Sequence, residues 1–309
     1  METRETLTRE QFEPASAPHA AREGGDLGAP ATGYWRDAWR RLKQNPVALL
    51  GLGVIGVLVL LAIFGPMLTP YTVSGQSISD RFSDPGGEYW FGTDAFGRSL
   101  WDRVWAGTRV SLYIALLATA ADLLIGVIYG AVSAYYGGRV DTIMQRIIEI
   151  VISIPNLVVV ILAMLVLNPG ILSITFAIAL TAWTGTARLV RGQVLRLKEQ
   201  EFFMASRALG ASPARLIFRH LIPNVVGIII TLMFTVPSAI FFEAFLSFIG
   251  LGIRPPDASL GALISDGATQ LTNYPYLVFI PGVVISLFMI SFNLLGDGLR
   301  DALDPKLRN

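Results

Sequence analysis

Long apolar runs without a single charged residue set the strongest limit on what this sequence can fold into. The first run, residues 47–68, contains no Asp, Glu, Lys or Arg and as a helix is long enough to cross a hydrocarbon core of about 30 Å. Charged residues make up only 15% of the chain, whereas a soluble globular protein carries about 25%. The sequence therefore predicts an all-α, polytopic membrane protein with six transmembrane helices. We expect these spans at residues 47–68, 111–135, 142–167, 171–187, 221–249 and 274–296.

Basic residues are distributed unevenly over the segments that connect these spans. Six spans place both termini on one side of the membrane, and that side receives nineteen of the 24 Lys and Arg residues. The opposite side receives Arg81, Arg98, Arg103, Arg109 and Arg254. Because cytoplasmic loops are enriched in Lys and Arg, we expect both termini in the cytoplasm.

The residues before and within the first span suggest three features. Residues 1–33 mix charged residues with Pro, Ala and Gly without an apolar period, which is typical of a disordered tail, here cytoplasmic. Residues 34–45 alternate aromatic and basic residues at helical spacing, which predicts an interfacial helix. Residues 51–56, GLGVIG, match a dinucleotide-binding fingerprint by letter only, because no strand precedes them. Close helix packing by small residues explains them better.

A polar segment, residues 69–108, separates the first two spans. Near its end Thr93 or Asp94 is expected to cap a helix with one apolar face. That face consists of Leu100, Trp101, Val104 and Trp105. We expect this helix to lie flat on the outer membrane surface, either as an anchor alone or in contact with an extracytoplasmic partner.

Five polar residues within the apolar runs are candidates for a translocation path, namely Asp122, Glu149, Asn156, Glu243 and Asn293. Asp122 is in line with small residues at i, i+4 spacing, so its carboxylate should face another helix. A structural hydrogen bond and an ion pathway both remain open for it. Glu149 forms either a local ion pair with Arg146 or part of a polar wall. We expect Pro237 to kink the fifth span and Glu243 to lie near its outer mouth.

Residues 198–224, KEQEFFMASRALGASPARLIFRHLIPN, form a polar, basic segment between two apolar runs. Gly210 is suited to close one helix, Ser212 to cap the next and Pro213 to its first position. We therefore expect two short helices joined by a turn. Because membrane-spanning runs flank it, this hairpin, residues 198–220, must lie at the membrane surface, where a soluble partner can bind it.

The sequence carries no motif for catalysis or nucleotide hydrolysis. The G-x-x-x-x-G-K-[ST] phosphate loop, H-E-x-x-H and G-x-S-x-G are all absent. The chain has no cysteine, two histidines and a net charge of +1. We therefore predict no catalytic residue, metal site, cofactor or nucleic-acid partner for this chain. Two classes of protein remain possible at this point: a transport subunit driven by a separate ATPase, and a secondary carrier driven by an ion gradient.

Several blocks of the sequence resemble the permease subunits of bacterial ABC importers of the peptide and nickel subclass, in particular the C-type subunits of oligopeptide and dipeptide permeases. The resemblance extends over about residues 34–309 and the blocks occur in family order. They are GTDAFGRSLWDRVWAGTRVSL at 92–112, ARLVRGQVLRLKEQEF at 187–202, SRALGAS and RHLIPN in the basic segment, EAFLSFIGLGIRPP at 243–256 and GDGLRDALDPKLR at 296–308.

The resemblance implies a type I ABC importer permease fold for residues 46–309 and a multi-pass protein of the bacterial cytoplasmic (inner) membrane. It implies a heterodimer with a second, B-type permease, two cytoplasmic ATPase subunits that bind ATP and Mg, an extracytoplasmic peptide-binding protein and surrounding lipid. The implied mechanism is alternating access coupled to ATP hydrolysis. Oligopeptides or dipeptides are the implied cargo, with nickel or glutathione as alternatives.

The same resemblance assigns roles within the hairpin, which would serve as the coupling helix. Its apolar anchors would be Phe202, Phe203, Met204 and Leu209. Its polar contacts would be Glu201, Arg207 and Arg215. Met204, followed by Ala205, occupies the position of the family's motif Glu, and Glu201 one turn earlier can take over part of that role. Gly210 would form the sharp turn. Alternatively, the apolar residues only sit among lipid headgroups.

Overall fold

The computed structural model describes residues 34–231, 235–254 and 256–303, and every regular element in these ranges is helical. The predicted tail, residues 1–33, lies outside them. We number the helices α1 to α12. They are α1 Tyr34–Gln44, α2 Pro46–Phe64, α3 Leu100–Tyr136, α4 Gly138–Ser153, α5 Asn156–Val166, α6 Ile171–Lys198, α7 Glu201–Ala208, α8 Pro213–Arg215, α9 Ile222–Thr231, α10 Thr235–Phe248, α11 Leu260–Ala268 and α12 Tyr276–Leu303. The chain stays helical between α8 and α9, as the π-helical segment Leu216–Leu221.

The helices of membrane-spanning length confirm a polytopic helical protein. Helices α2, α3, α6 and α12 are each long and apolar enough to cross a membrane, and the bent pair α4 and α5 supplies a fifth span if it is counted as one. The predicted span at 221–249 contains α9 and α10, which flank residues 232–234. Those three residues lie outside the described ranges, so the predicted fifth span at 221–249, its kink at Pro237 and the total of six spans stay predictions.

Helix α3 corrects the prediction of a separate helix lying flat on the outer surface. It is one continuous helix of 37 residues, about 55 Å long. The predicted cap was also wrong, because Ser99 accepts a hydrogen bond from the backbone N–H of Asp102. Leu100, Val104 and Trp105 are buried within the protein. The apolar face that suggested a membrane-surface helix is therefore a face packed against other helices.

The polar residues before α3 form a folded outer region. Asp94 accepts hydrogen bonds from the backbone N–H of Phe96 at 2.9 Å and from Arg98 Nε at 2.6 Å. The buried guanidinium of Arg103 lies 3.4 Å from the same carboxylate. On α12, the Tyr276 hydroxyl lies within hydrogen-bond distance of the Ser83 and Thr93 carbonyls. Residues 77–99 are thereby fixed to the helices below them.

The predicted span at 142–167 is not one continuous helix, because α4 and α5 meet at an angle of 80°. Ile154 between them has an extended backbone, with φ −91° and ψ 128°. Pro155 follows it, and proline disfavours helical geometry in the residue before it and lacks the N–H that a continuing helix needs. The hydrophobicity of the run concealed this break.

The most extensive helix pair is α3 with α6, and two glycines of α3 permit its close approach. A Cβ added at Gly126 would lie 2.6 Å from Cβ of Thr186, and one added at Gly130 would overlap the carbonyl oxygen of Ala187. Asp122 lies one turn earlier on the same face and is only 2% exposed. The structure thus confirms that its carboxylate faces another helix.

A second pair, α2 with α12, uses only part of the GLGVIG segment for packing. A Cβ at Gly51 would lie 2.7 Å from the carbonyl oxygen of Ser291 on α12. A Cβ at Gly53 or Gly56 would meet no atom within 4 Å. The close-packing explanation is therefore confirmed for Gly51, whereas Gly53 and Gly56 contact no other helix of the described chain.

We expect Gly130→Leu to destabilise the fold, because the added side chain forces α3 away from α6; overpacking of this kind costs about 1–3 kcal/mol. The matched control is Gly192→Leu on α6, where an added Cβ meets no atom within 4 Å. Thermal unfolding in detergent, followed by size-exclusion chromatography, should show a lower midpoint for Gly130→Leu alone. Equal midpoints would contradict the packing assignment.

Candidate functional site: the hairpin and the cavity beneath it

The hairpin has the predicted two-helix form, and its turn follows from three residues. Gly210 has a φ of +79°, a conformation that side chains with a Cβ rarely adopt. Its N–H donates to the Arg207 carbonyl, and the next N–H donates to the Ser206 carbonyl, which is the Schellman pattern that closes a helix. Ser212 then accepts from the backbone N–H of Arg215, with Pro213 at the first helical position. The predicted roles of Gly210, Ser212 and Pro213 are confirmed.

Helix α7 has one side buried and the other exposed. Phe203 is 2% exposed and its ring packs edge-on against Tyr135 at the end of α3, with the ring centroids 6.5 Å apart. Phe202, Met204 and Leu209 are 40%, 53% and 89% exposed. The prediction that Phe203 anchors a partner is therefore corrected, because its side chain fixes the hairpin to its own subunit.

The remaining hairpin candidates lie on one exposed surface, which we call the docking face. It combines three apolar side chains with polar ones around the turn. Its members are Glu201, Phe202, Met204, Ala205, Arg207, Leu209, Gly210 and Arg215. Met204 places an exposed thioether where the family motif has a carboxylate. That position therefore presents an apolar group to solvent, and Glu201 is the nearest acidic residue on the face.

The buried side of the hairpin belongs to a compact apolar cluster. In this cluster Phe203, Leu216, Ile217 and Leu221 pack with small and branched residues of the two long helices. Those residues are Val127, Ala131 and Ala134 of α3 and Val190 and Val194 of α6. The hairpin is thus a packed extension of α3 and α6, so its position depends on theirs.

Charged contacts at the base of the hairpin were not predicted from the sequence. Arg191 of α6 donates two hydrogen bonds, each 2.6 Å, to the Asp141 carboxylate at the start of α4. Ser133 of α3 donates to the same carboxylate at 2.5 Å. Such a two-bond Arg–carboxylate pair is specific in geometry as well as strong. The only local signal was Asp141 after a Gly-Gly turn, and the sequence does not show which basic residue would reach it.

Lys198, at the last turn of α6, connects that helix to the end of α3. Its Nζ donates to the carbonyls of Ala134 and Tyr135 at 2.7 and 3.0 Å. The last carbonyls of a helix lack hydrogen-bond donors within the helix and carry partial negative charge. A lysine at this position both donates to them and offsets that charge. The hairpin therefore begins at a residue tied to the neighbouring long helix.

Two of the translocation-path candidates, Asp122 and Asn156, lie together on a cavity of about 380 Å³. The Thr181 hydroxyl donates to Asn156 Oδ1 at 2.5 Å. Asp122 Oδ1 is buried without a hydrogen-bond partner among the described residues. Helices α3, α5, α6 and α10 form the walls, which are mostly apolar with a few hydroxyl groups, including Thr119 and Ser238. This cavity joins polar groups from four helices.

The other three candidates lie elsewhere. Glu149 is exposed and forms an ion pair with Arg146 at 2.7 Å, which is the first of the two alternatives given for it above. Asn293 is exposed on α12. None of these residues lines the cavity that contains Asp122. Their part in a path stays a prediction.

Glu243 is completely buried, and its expected position near an outer mouth stays a prediction. The hydroxyls of Ser111 and Ser247 donate to its carboxylate at 2.5 and 2.8 Å. Ser111 also accepts the N–H of Leu260, the first residue of α11, at 3.2 Å. Glu243 therefore joins α3, α10 and α11 at one interior point. Ser247 is one helical turn away on the same helix, whereas Ser111 is 132 residues away in sequence, which is why sequence reasoning missed its contact.

Comparison with known protein families agrees with this geometry. Residues 122–309 match the family model "Binding-protein-dependent transport system inner membrane component", and residues 33–85 match "N-terminal TM domain of oligopeptide transport permease C". The first match alone covers more than half of the chain. The chain therefore belongs to the family of inner membrane components of binding-protein-dependent transport systems, and it is a multi-pass membrane protein.

Within that family the chain is similar to C-type peptide permeases over nearly its full length. It is 46% identical over 305 residues to the oligopeptide transport system permease protein OppC of Bacillus subtilis, covering 98% of this chain and 99% of that protein. It is 48% identical over 289 residues to the dipeptide transport system permease protein DppC of the same organism, covering 93% and 90%. The OppC protein of Escherichia coli K12 is 41% identical over 277 residues, covering 89% and 92%.

One solved structure supports the fold independently. A chain from inward-facing conformations of the MetNI methionine ABC transporter superposes with a TM-score of 0.52 at 18% identity, covering 64% of this chain and 94% of that chain. This similarity confirms the predicted type I ABC importer permease fold.

We expect Phe203→Ala and Phe202→Ala to separate the two sides of α7. Replacing the buried ring should lower the free energy of unfolding by about 3–5 kcal/mol, the usual cost of deleting a buried Phe. Replacing the half-exposed Phe202 should leave it within about 0.5 kcal/mol. Unfolding of the purified protein in detergent measures both. A larger loss for Phe202→Ala would reverse the assignment of the two faces.

Proposed function

We propose that this chain is the membrane-spanning permease subunit of an ATP-driven importer, and that it moves oligopeptides or dipeptides across the cytoplasmic membrane. The observation that carries the proposal is the docking face: an exposed, largely apolar surface on a hairpin that is packed onto the long helices α3 and α6. Relatives named for oligopeptide and dipeptide transport support peptide cargo. They give no support to nickel or glutathione.

The hairpin is suited to transmit motion from a soluble partner to the spans. Leu209 is 89% exposed at its tip, an unfavourable position for a large apolar side chain unless a partner covers it. Phe203 and Lys198 tie the same hairpin to α3 and α6. A partner that moves the tip would therefore move the cytoplasmic ends of both helices. That coupling is what alternating access requires.

The energy source in this proposal lies outside the chain. The sequence has no phosphate-binding loop, so we assign ATP and Mg binding to two cytoplasmic ATPase subunits. Two ATPases need two hairpins and this chain has one, which supports a heterodimer with a second, B-type permease. A peptide-binding protein would deliver cargo to the opposite face. The nineteen-to-five distribution of basic residues supports cytoplasmic termini and a cytoplasmic hairpin.

The cavity that contains Asp122 and Asn156 is the section of the translocation path that we assign to this subunit. It lies among α3, α5, α6 and α10 and combines hydroxyl, amide and carboxyl groups with apolar walls. Peptides of differing side chains require such a surface, because strong binding to any one chemical group would slow release. Glu149, Glu243 and Asn293 are secondary candidates for contact with cargo or with the second permease.

Gly210→Val should uncouple ATP hydrolysis from peptide uptake. A β-branched residue at φ +79° carries strain of about 1–3 kcal/mol, enough to displace the turn and lower uptake about tenfold. The matched control is Gly250→Val, since Gly250 has a φ of +83° and equally open surroundings outside the hairpin. Uptake and hydrolysis are measured together in proteoliposomes. Unchanged uptake in Gly210→Val would contradict the lever role.

Peptide uptake into these proteoliposomes should distinguish the whole complex from the isolated chain. We expect peptide uptake only when the ATPase subunits, the second permease and ATP are present. Uptake by the isolated chain on an ion gradient would instead establish a secondary carrier.

Asp122→Asn should leave peptide uptake within about twofold of wild type, because the amide has the same shape and no cation pairs with Asp122 among the described residues. Asp141→Asn is the matched control, since it weakens the two-bond contact with Arg191 and should reduce the yield of assembled complex. Loss of uptake by Asp122→Asn in a fully assembled complex would instead favour an ionic role.

A further inference from the structure

An apolar groove with a volume of about 820 Å³ lies between α2 and α12. It is open along one side and almost entirely apolar. From α2 it is lined by Leu49, Leu50, Gly53, Val54, Val57, Leu58 and Leu61. From α12 the lining includes Phe279, Val283 and Leu287. Because both helices are of membrane-spanning length, the groove lies at the depth of the hydrocarbon core.

The length of the groove matches one leaflet of a bilayer. On α2 it extends from Leu49 to Leu61, which at 1.5 Å per residue is about 18 Å. One half of a hydrocarbon core of about 30 Å is about 15 Å. Phe91 and Trp105 line the far end of the groove, beyond Leu58. An extended acyl chain that enters at the Leu49 end therefore fits along the groove and ends against these rings.

The Leu49 end of the groove lies beside α1, which ends one residue before α2 begins. Trp39 on α1 is 50% exposed, and Lys43 Nζ lies 5.3 Å from the centre of its ring. Exposed tryptophans next to basic residues are typical of the headgroup level of a membrane. Helix α1 thus places polar groups at the level where the phosphate of a lipid in the groove would lie.

The charge at this end favours an anionic headgroup. Its basic residues are Arg36, Arg40, Arg41, Lys43 and, from the end of α12, Arg300. Its acidic residues are Asp37, Asp297 and Asp301. The positive excess, together with the exposure of Arg36 and Lys43, attracts a negatively charged lipid more strongly than a zwitterionic one.

We propose that the groove between α2 and α12 is a binding site for one anionic phospholipid, with an acyl chain along Gly53 and its phosphate beside the basic residues of α1. The lipid fills the space that the missing side chain of Gly53 leaves open. In this role Gly53 keeps the groove clear, which explains a glycine that packs against no helix.

Two glycine variants on the same helix test the acyl-chain site. Gly53→Leu places a side chain in the groove, whereas Gly56→Leu places one where an added Cβ also meets no atom but outside the groove lining. The purified transporter is incubated with phosphatidylglycerol and examined by native mass spectrometry. We expect Gly53→Leu to reduce retained phosphatidylglycerol about tenfold, since displacing even two methylene groups has that effect. Gly56→Leu should retain it like wild type.

The headgroup is tested with phosphatidylcholine as the competing lipid. Arg36→Gln combined with Lys43→Gln should reduce the preference for phosphatidylglycerol over phosphatidylcholine at least about fivefold, the usual effect of one basic residue at a membrane surface. Equal retention of both lipids by wild type would overturn the proposal. Retention of phosphatidylglycerol by Gly53→Leu, or an equal loss of it by Gly56→Leu, would also overturn the proposal. Release of the second permease by Gly53→Leu would overturn it as well, because the groove would then be a helix-docking surface.

Discussion

The close contact between α3 and α6 is the interaction on which the rest of the structure depends. Glycines at 126 and 130 let the two backbones approach until Thr186 and Ala187 occupy the space of the missing side chains. In a membrane, helices gain little from the hydrophobic effect when they associate, so such close van der Waals contact is a main source of stability. Both the cavity with Asp122 and the hairpin are built on this pair. Their geometry is therefore set by two residues that have no side chain.

The two ends of that helix pair have different chemistry. Toward the cavity, the walls are mostly apolar, and Asp122 Oδ1 has no hydrogen-bond partner among the described residues. Toward the hairpin, Lys198 and the Asp141–Arg191 pair connect the helix ends with charge-assisted hydrogen bonds. The charged contacts between these helices are thus concentrated at the end where the proposed mechanism applies force. This division suits a protein whose cytoplasmic partners supply the energy, as proposed above.

Local signals in the sequence predicted the parts of the fold that local chemistry determines. The turn at Gly210 needs only a glycine, a capping serine and a proline in sequence, and all were read correctly. The face of α7 that is buried could not be predicted, because Phe202 and Phe203 are equally apolar and only the position of Tyr135 decides between them. The length of α3 was missed for the same reason. An apolar helical face has the same pattern whether it meets lipid or protein, and the partner segments are distant in sequence.

The bend between α4 and α5 has a consequence for the chain outside its complex. Ile154 is 45% exposed and its backbone is extended between two helices, within a run of spanning composition. Acyl chains offer neither donors nor acceptors, so irregular backbone at that depth is tolerated only against protein or water. A single copy surrounded by lipid would leave peptide groups there unsolvated. In the proposed complex a partner subunit or enclosed water would satisfy these groups, so subunits made in excess should be cleared by membrane quality control.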